Sequence, residues 1–490
     1  MKKQYLEIKG NITLFLCLIF TILLLLIMLI LESSRIHTVK AHTEGVSHMA
    51  IESVMGHFSL SLFENYGLFA VNMADSSISP LLEEYINCNL SPASDLTGAY
   101  YNLCKISSHT CTPFNIYHMT DDNGKIFINQ LLQYMSRYPA ATAADILLTS
   151  PYINILSKDY VDISNINTEE TQIDTSFSLS DFSNDVAQET ALTEEEALSK
   201  RDSIYNNIKT LLTQTSLSIY IDKSSDISVR KADTTMLPSA VCSYSHDSSV
   251  IKDLSPSEKI LLLLYISNHF NCYTSNESDN AELKYQLEYL IHGSPNDDTN
   301  LLKCILNIQS LRTGLNLAYL YTDTEKRQEA RTLAQAAVGL IQVPFIVEFT
   351  QLAILSAWSS AEAIADVRSL LKGNKIPIFK SKSSWTLNLQ DLFTFHGSTI
   401  SKNSNTGFTY NQYLQLYLYT GLSTDIVYRT MDLIQMDIKK NYNSAFKMNE
   451  CITGLKYKFS YNYNPVFSIN HSLYGKNSIL NHSFIQSYGY

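Results

Sequence analysis

The sequence predicts a helix-dominated α+β protein: a long N-terminal transmembrane helix continuing into an exported domain with short strands and a β-rich C-terminus. Three observations carry this. Asn11 to Leu31 is an uncharged apolar run. Helix start and stop signals recur through residues 251–450. The last forty residues turn aromatic and partly alternate at period two.

The apolar run reads NITLFLCLIFTILLLLIMLIL. As a helix it would be ~31 Å long, which matches the hydrocarbon core of a bilayer. It is too long for the apolar stretch of a cleavable signal peptide, and LESSR after it offers no small-x-small site. Cys17 lies inside the span behind the bulky Phe15 and Leu16, which argues against a lipoprotein. An uncleaved anchor is therefore expected. Lys2, Lys3 and Lys9 precede the span, so the positive-inside bias places the N-terminus in the cytoplasm and the C-terminal domain outside the cell.

Beyond the span, Ile36, Val39, Val46, Ala50, Val54 and Phe58 recur mostly at three- and four-residue steps. That is one face of an amphipathic helix, expected to run past Gly45 and Gly56 and to break at Tyr66-Gly67. The expected divisions are a cytoplasmic tail (1–10), a transmembrane helix (11–31), a juxtamembrane amphipathic helix (32–66), a mixed region (67–250), a helical core (251–450) and a β-rich segment (451–490). Within the mixed region, helices are expected from Ser79-Pro80, over Asp122 to Arg137 and from near Thr193, with a strand at 217–221. Residues 159–199 hold many acids and no Lys or Arg, and are read as a solvated linker.

In the helical core, Ser255-Pro256-Ser257-Glu258 joins an N-cap, a proline at the first position and a capping-box Glu. Further helices are expected from Asp298 to Tyr321, Thr324 to Leu340, Pro344 to Lys372 with Gly373 as terminator, and at about 409–420 and 424–441. IPIFK (376–380) and WTLNLQ (385–390) look like strands. Residues 338–358 have the length of a second span, but Pro344 and Glu348 interrupt them, so a buried helix pair is expected. ITGLKYKFSYNYN, near the C-terminus, is expected as strand.

The net charge is −11, and residues after the first ten carry −13. Phosphate binding needs clustered Lys and Arg, so nucleic acid is not an expected partner. No catalytic, cofactor or metal motif is found, and neither an enzyme nor a cofactor is expected. Glu362 and Asp366, at i,i+4 on one helix, are read as a solvated face. His37, His42, His48 and His57 crowd the juxtamembrane helix without the i,i+4 spacing of a zinc pair. Cys104 and Cys111 are spaced to close a small disulfide loop. Glu32 and Arg35, at i,i+3, are expected to pair at the outer membrane interface and stabilise the helix by a few tenths of a kcal/mol. Trp358 and Trp385 are expected in the core.

KGNITLFLCLIFTILLLLIMLILESSR, ENYGLFAVN, DDNGKIFINQLLQYMSRYP, AWSSAEAIADVRSLLKGNKIPIFK and YRTMDLIQMDIKKNY resemble a family of uncharacterised single-pass membrane proteins of low-GC Gram-positive bacteria (domain of unknown function 5702). The N-terminus is similar to TadE/TadG-like minor pilins of tight-adherence (Tad) pilus systems. Such precursors carry a Gly before the cleavage site and a Glu five residues later. Gly10 fits the first, but Phe15 stands at the second. The resemblance implies a non-enzymatic structural or assembly component of a cell-surface apparatus, with the lipid bilayer and other proteins of a membrane complex as partners. The alternative is a ligand-binding or sensor ectodomain.

Overall fold

The computed structural model describes residues 4–90, 106–137, 216–246, 249–275, 280–338, 344–394, 399–464 and 480–490. The acidic stretch 159–199, the helix expected near Thr193 and Cys104 lie outside the described residues. The chain divides into two compact units, residues 1–130 with 445–490 and residues 131–444.

The first unit is organised by one helix, α1 (Gln4–Met55). From Ile12 to Leu31 its large apolar side chains are 40 to 70% exposed. From Glu32 onward a stripe at helical spacing is buried, including Val39, Val46, Ala50 and Val54. The helix stops at Gly56, eleven residues before the expected break at Gly67. The reason is a backbone turn: Ser59 N–H donates to Ala70 O at 2.8 Å, folding α2 (Leu60–Tyr66) back. Gly67, at φ +69°, closes α2 in the left-handed conformation that glycine adopts without strain.

The buried stripe packs on α3 (Ile78–Leu90) and on an antiparallel sheet. β3 (Cys451–Tyr463) is its central strand. β2 (Ile106–His118) pairs with it on one side, for example Cys111 with Phe459. β4 (Leu480–Gly489) pairs on the other, for example Phe484 with Phe459, and β1 (Val71–Asn72) adds a short pair. Leu455, Tyr457, Phe459, Tyr461 and Tyr463 alternate inward, and each buried aromatic is worth about 1.5–3 kcal/mol. Sequence reading finds β3 but not β2, where Pro113 has no N–H for the ladder and a register shift follows it.

α4 (Asp121–Ser136) begins with Asp122, Asn123 and Gly124 at φ +52°, +56° and +77°, a left-handed turn ahead of its regular part. In the second unit follow α5 (Pro256–His269), α6 (Gln286–His292), α7 (Asp297–Thr322), α8 (Thr324–Val338) and α9 (Pro344–Leu371). α10 (Tyr410–Thr420) and α11 (Thr424–Asn441) complete it. The Ser255–Glu258 capping box forms, and Thr409 with Gln412 forms a second. Gly373, at φ +84°, ends α9.

α9 packs against α7 and α8, and every residue from Ala357 to Leu371 is buried. A helical stretch buried all round lies inside its unit, whereas the first half of α9 keeps Phe349 and Leu352 exposed.

Three expected strands are corrected. Residues 217–221 begin with a 3₁₀ turn, Leu217–Ile219, whose last carbonyl binds Arg368. Segments 376–380 and 385–390 form no strand beyond a single bridge between Ile376 and Phe408. Their backbone groups are taken by charged side chains, as described below.

A Cβ on Gly407 would lie 2.4 Å from the Ile376 backbone carbon, inside that bridge. Gly407→Ala is therefore expected to cost about 1–3 kcal/mol, as overpacking does. Thermal unfolding of the detergent-solubilised protein checks this; an unchanged midpoint would show that the bridge yields freely.

Candidate functional site

Because α9 is enclosed from Ala357 to Leu371, Glu362 and Asp366 cannot line a solvated face. Both are fully buried, which corrects the sequence expectation. Arg312 of α7 reaches Asp366 Oδ2 through Nε at 3.0 Å and Nη2 at 2.8 Å. Asn316, one turn on, donates to the same oxygen at 3.1 Å. Lys380 places Nζ 2.6 Å from Glu362 Oε1 and 2.7 Å from Asp366 Oδ1. Two cations and two anions thus share a volume in which none is more than 1% exposed.

The remaining hydrogen bonds go to the irregular segment. Arg312 Nη1 donates to the carbonyls of Pro377 and Ile378 at 2.8 and 2.7 Å. Glu362 accepts the amides of Thr386 and Leu387 at 3.0 and 2.9 Å. This is why IPIFK and WTLNLQ, with their β-like composition, do not pair as strands. Trp358 and Trp385 are buried as expected, edge to face at 5.7 Å, and both indole N–H groups donate to Leu387 O.

Burial raises the Glu362 carboxyl above its usual range, against the pull of Lys380. Burial also pushes Asp366 up, but Arg312 and Lys380 together outweigh it and hold Asp366 low. The Arg312 guanidinium is held charged, since Asp366 overcomes the cost of its burial. Sequence reasoning missed Arg312 and Lys380. A signal existed for Arg312, which falls on the buried stripe of Leu301, Ile305, Ile308 and Leu320.

Three further carboxyls are buried in this unit: Glu288, Asp297 and Asp432. Glu288 accepts Tyr273 N–H and Tyr410 Oη–H, both at 2.9 Å, and burial pushes its pKa up to about 7. Asp432 accepts Ser239 N–H and Tyr289 Oη–H, and burial lifts it to about 6.

In the first unit, Glu32 and Arg35 pair through two hydrogen bonds, at 2.7 and 3.1 Å. Arg35 also donates to Asn464 O at 3.0 Å and lies 6.0 Å from the Tyr463 ring. The pair is buried, and it also fastens the helix to the end of β3. Exposed His48 contacts Glu52, and His57 contacts Tyr85. His37 and His42 are exposed. Among the described residues no His, Cys, Asp and Glu group is disposed to hold a metal. Cys111 is a free, buried thiol, pushed up to about 12 by burial. Cys104, its expected disulfide partner, is outside the described residues.

A long apolar N-terminal helix fitting a membrane anchor, joined to an α+β body with a charged helical core, defines the class of protein. The profile of a family of unknown function (DUF5702) matches residues 194–463, more than half of the chain, and the chain belongs to that family. No curated protein and no solved structure matches it.

Arg312→Leu leaves Asp366 facing only one of its two cations, and is expected to cost about 3–5 kcal/mol, as breaking a buried pair does. A loss below ~1 kcal/mol in denaturant unfolding would show that water reaches the cluster.

The raised carboxyls also set a pH dependence. Glu288 binds its proton more tightly folded than unfolded. Its stabilising contribution is full below its ordinary value of 4.5 and is lost as pH rises through about 7. Asp432 acts in the same direction between 3.8 and about 6. The thermal midpoint of the wild type should therefore gain more between pH 8 and pH 5 than that of Glu288→Gln, in which the opposing effect of His292, lowered by burial to about 4, is unchanged.

Proposed function

We propose that this chain is a non-enzymatic, membrane-anchored extracytoplasmic protein, acting as a structural or assembly component of a cell-surface apparatus of the Tad-like pilus or secretion kind. The observation that carries this reading is the two-environment helix α1: bare and apolar over Ile12–Leu31, then clamped to a sheet from Glu32 onward. A helix without a break between the two halves couples whatever grips the span to the exported unit as one rigid lever. That property suits assembly by lateral association of spans, where helices pack through van der Waals contact and buried polar groups.

The N-terminal likeness to Tad minor pilins and the Gram-positive origin belong to this proposal. So does the orientation, which rests on Lys2, Lys3 and Lys9 ahead of the span. The absence of a prepilin-like Glu at position 15 argues for an anchor that stays whole.

Two measurements test the reading. A C-terminal tag should be cut by protease added to intact protoplasts, and protection of the tag would reverse the orientation. Affinity purification from crosslinked membranes should recover pilus or secretion proteins. A deletion strain with normal piliation and normal surface secretion would overturn the assembly role.

A further inference from the structure

We propose that Lys380 and Asp366 are a site of internal covalent modification, condensing to an amide cross-link with Glu362 carrying the protons. This goes beyond the assembly role and does not depend on it.

The argument starts from how the two oxygens of Asp366 differ. Oδ2 receives three N–H donors, from Arg312 Nε, Arg312 Nη2 and Asn316 Nδ2, at 3.0, 2.8 and 3.1 Å. Three donors on one carboxyl oxygen form an oxyanion hole, ready to hold the charge that develops when a nucleophile adds to the carbon. Oδ1 faces the only amine in the cluster, Lys380 Nζ, at 2.7 Å. That amine also touches Glu362 Oε1 at 2.6 Å. Nucleophile, electrophile, proton carrier and oxyanion donors are all in place, and the site is closed to solvent.

The steps balance. Lys380 gives a proton to Glu362 and becomes a neutral amine, and Glu362 passes that proton to Asp366 Oδ1. Nζ adds to Asp366 Cγ, and the negative charge settles on Oδ2 among its three donors. Glu362 takes a second proton from Nζ and delivers it to the Oδ1 hydroxyl, which leaves as water when the C–O bond breaks. The product is an amide and one water, with Glu362 returned to its starting form. Oδ2 becomes the amide oxygen and keeps its partners.

The surroundings favour this direction. Burying an ion is costly even when it is paired, and condensation removes one charge of each sign. Arg312 and Glu362 remain, so the cluster stays neutral. The cross-link would tie the irregular segment after α9 to α9 itself.

Intact-mass spectrometry of the purified full-length protein tests the proposal. The wild type should be about 18 Da lighter than the same chain without the bond, the mass of one water lost. Trypsin should yield a branched pair joining residues 332–368 to 376–382, because a Lys380 in amide linkage is not cleaved. Lys380→Arg should restore the full mass while keeping a cation in place. Glu362→Gln, shown folded by circular dichroism, should lose the branched pair or form it at least tenfold more slowly. Recovery of the linear peptide 376–380 from folded wild-type protein, at full intact mass, would overturn the proposal. Equal cross-linking in Glu362→Gln would overturn the proton route.

Discussion

A helix that passes from a bare apolar stretch to a packed one has to change partners without changing its backbone, and α1 makes that change at Glu32. From Ile12 to Leu31 its side chains are apolar apart from Thr13 and Thr21, a surface that suits lipid and not water. From Glu32 the helix needs one face for a protein core and another for solvent. The Glu32–Arg35 pair meets both needs at the crossover. Its charges neutralise each other, and the spare guanidinium donor ends on Asn464 O at the close of β3. The sheet therefore begins its packing on α1 within one turn of the apolar segment's end. The inward alternation of β3 and the docking of α3 follow from that fixed point. So does the buried Tyr457 hydroxyl, which donates to Ser47 O.

The second unit solves a different problem with the same chemistry. The second half of α9, Ala357 to Leu371, is enclosed, yet the segment after it returns without regular secondary structure. Backbone groups in such a segment need partners, because a buried orphan costs about 1–3 kcal/mol. Sheet pairing would supply them, but the partners here are Arg312, Glu362 and the two indoles around Leu387 O. A charged side chain that binds two successive carbonyls or amides fixes local geometry more narrowly than apolar packing does. The buried charges thus specify the path of the chain, and the apolar residues around them supply the stability.

Local signals in the sequence account for most of the helices. Caps such as Ser255–Glu258 and terminators such as Gly373 act through neighbours a few residues away, and they form as read. Failures came where a partner lies far along the chain. Gly56 looked tolerable inside a helix, until the pairing of Ser59 with Ala70 turned the chain there. IPIFK has strand composition, but its carbonyls answer to Arg312, more than sixty residues earlier. The Glu362–Asp366 spacing was visible, whereas its meaning depended on burial, which no window around residue 362 discloses.

The two ion clusters also differ in what they allow. Glu32 and Arg35 sit where α1 passes from its bare apolar stretch to its packed one, and the pair fastens the helix to the end of β3. Arg312, Asp366, Lys380 and Glu362 sit where no solvent competes, so proton transfer within the cluster meets no reservoir of water to undo it. In such a place an ammonium beside two carboxylates is held as ions only by the donors around it. Those donors are unevenly spread: Asp366 Oδ2 has three and Oδ1 faces the amine. That asymmetry separates a pair built only to neutralise charge from one arranged to react. A symmetric bidentate Arg–carboxylate pair would use both oxygens alike, leaving neither directed at a nucleophile.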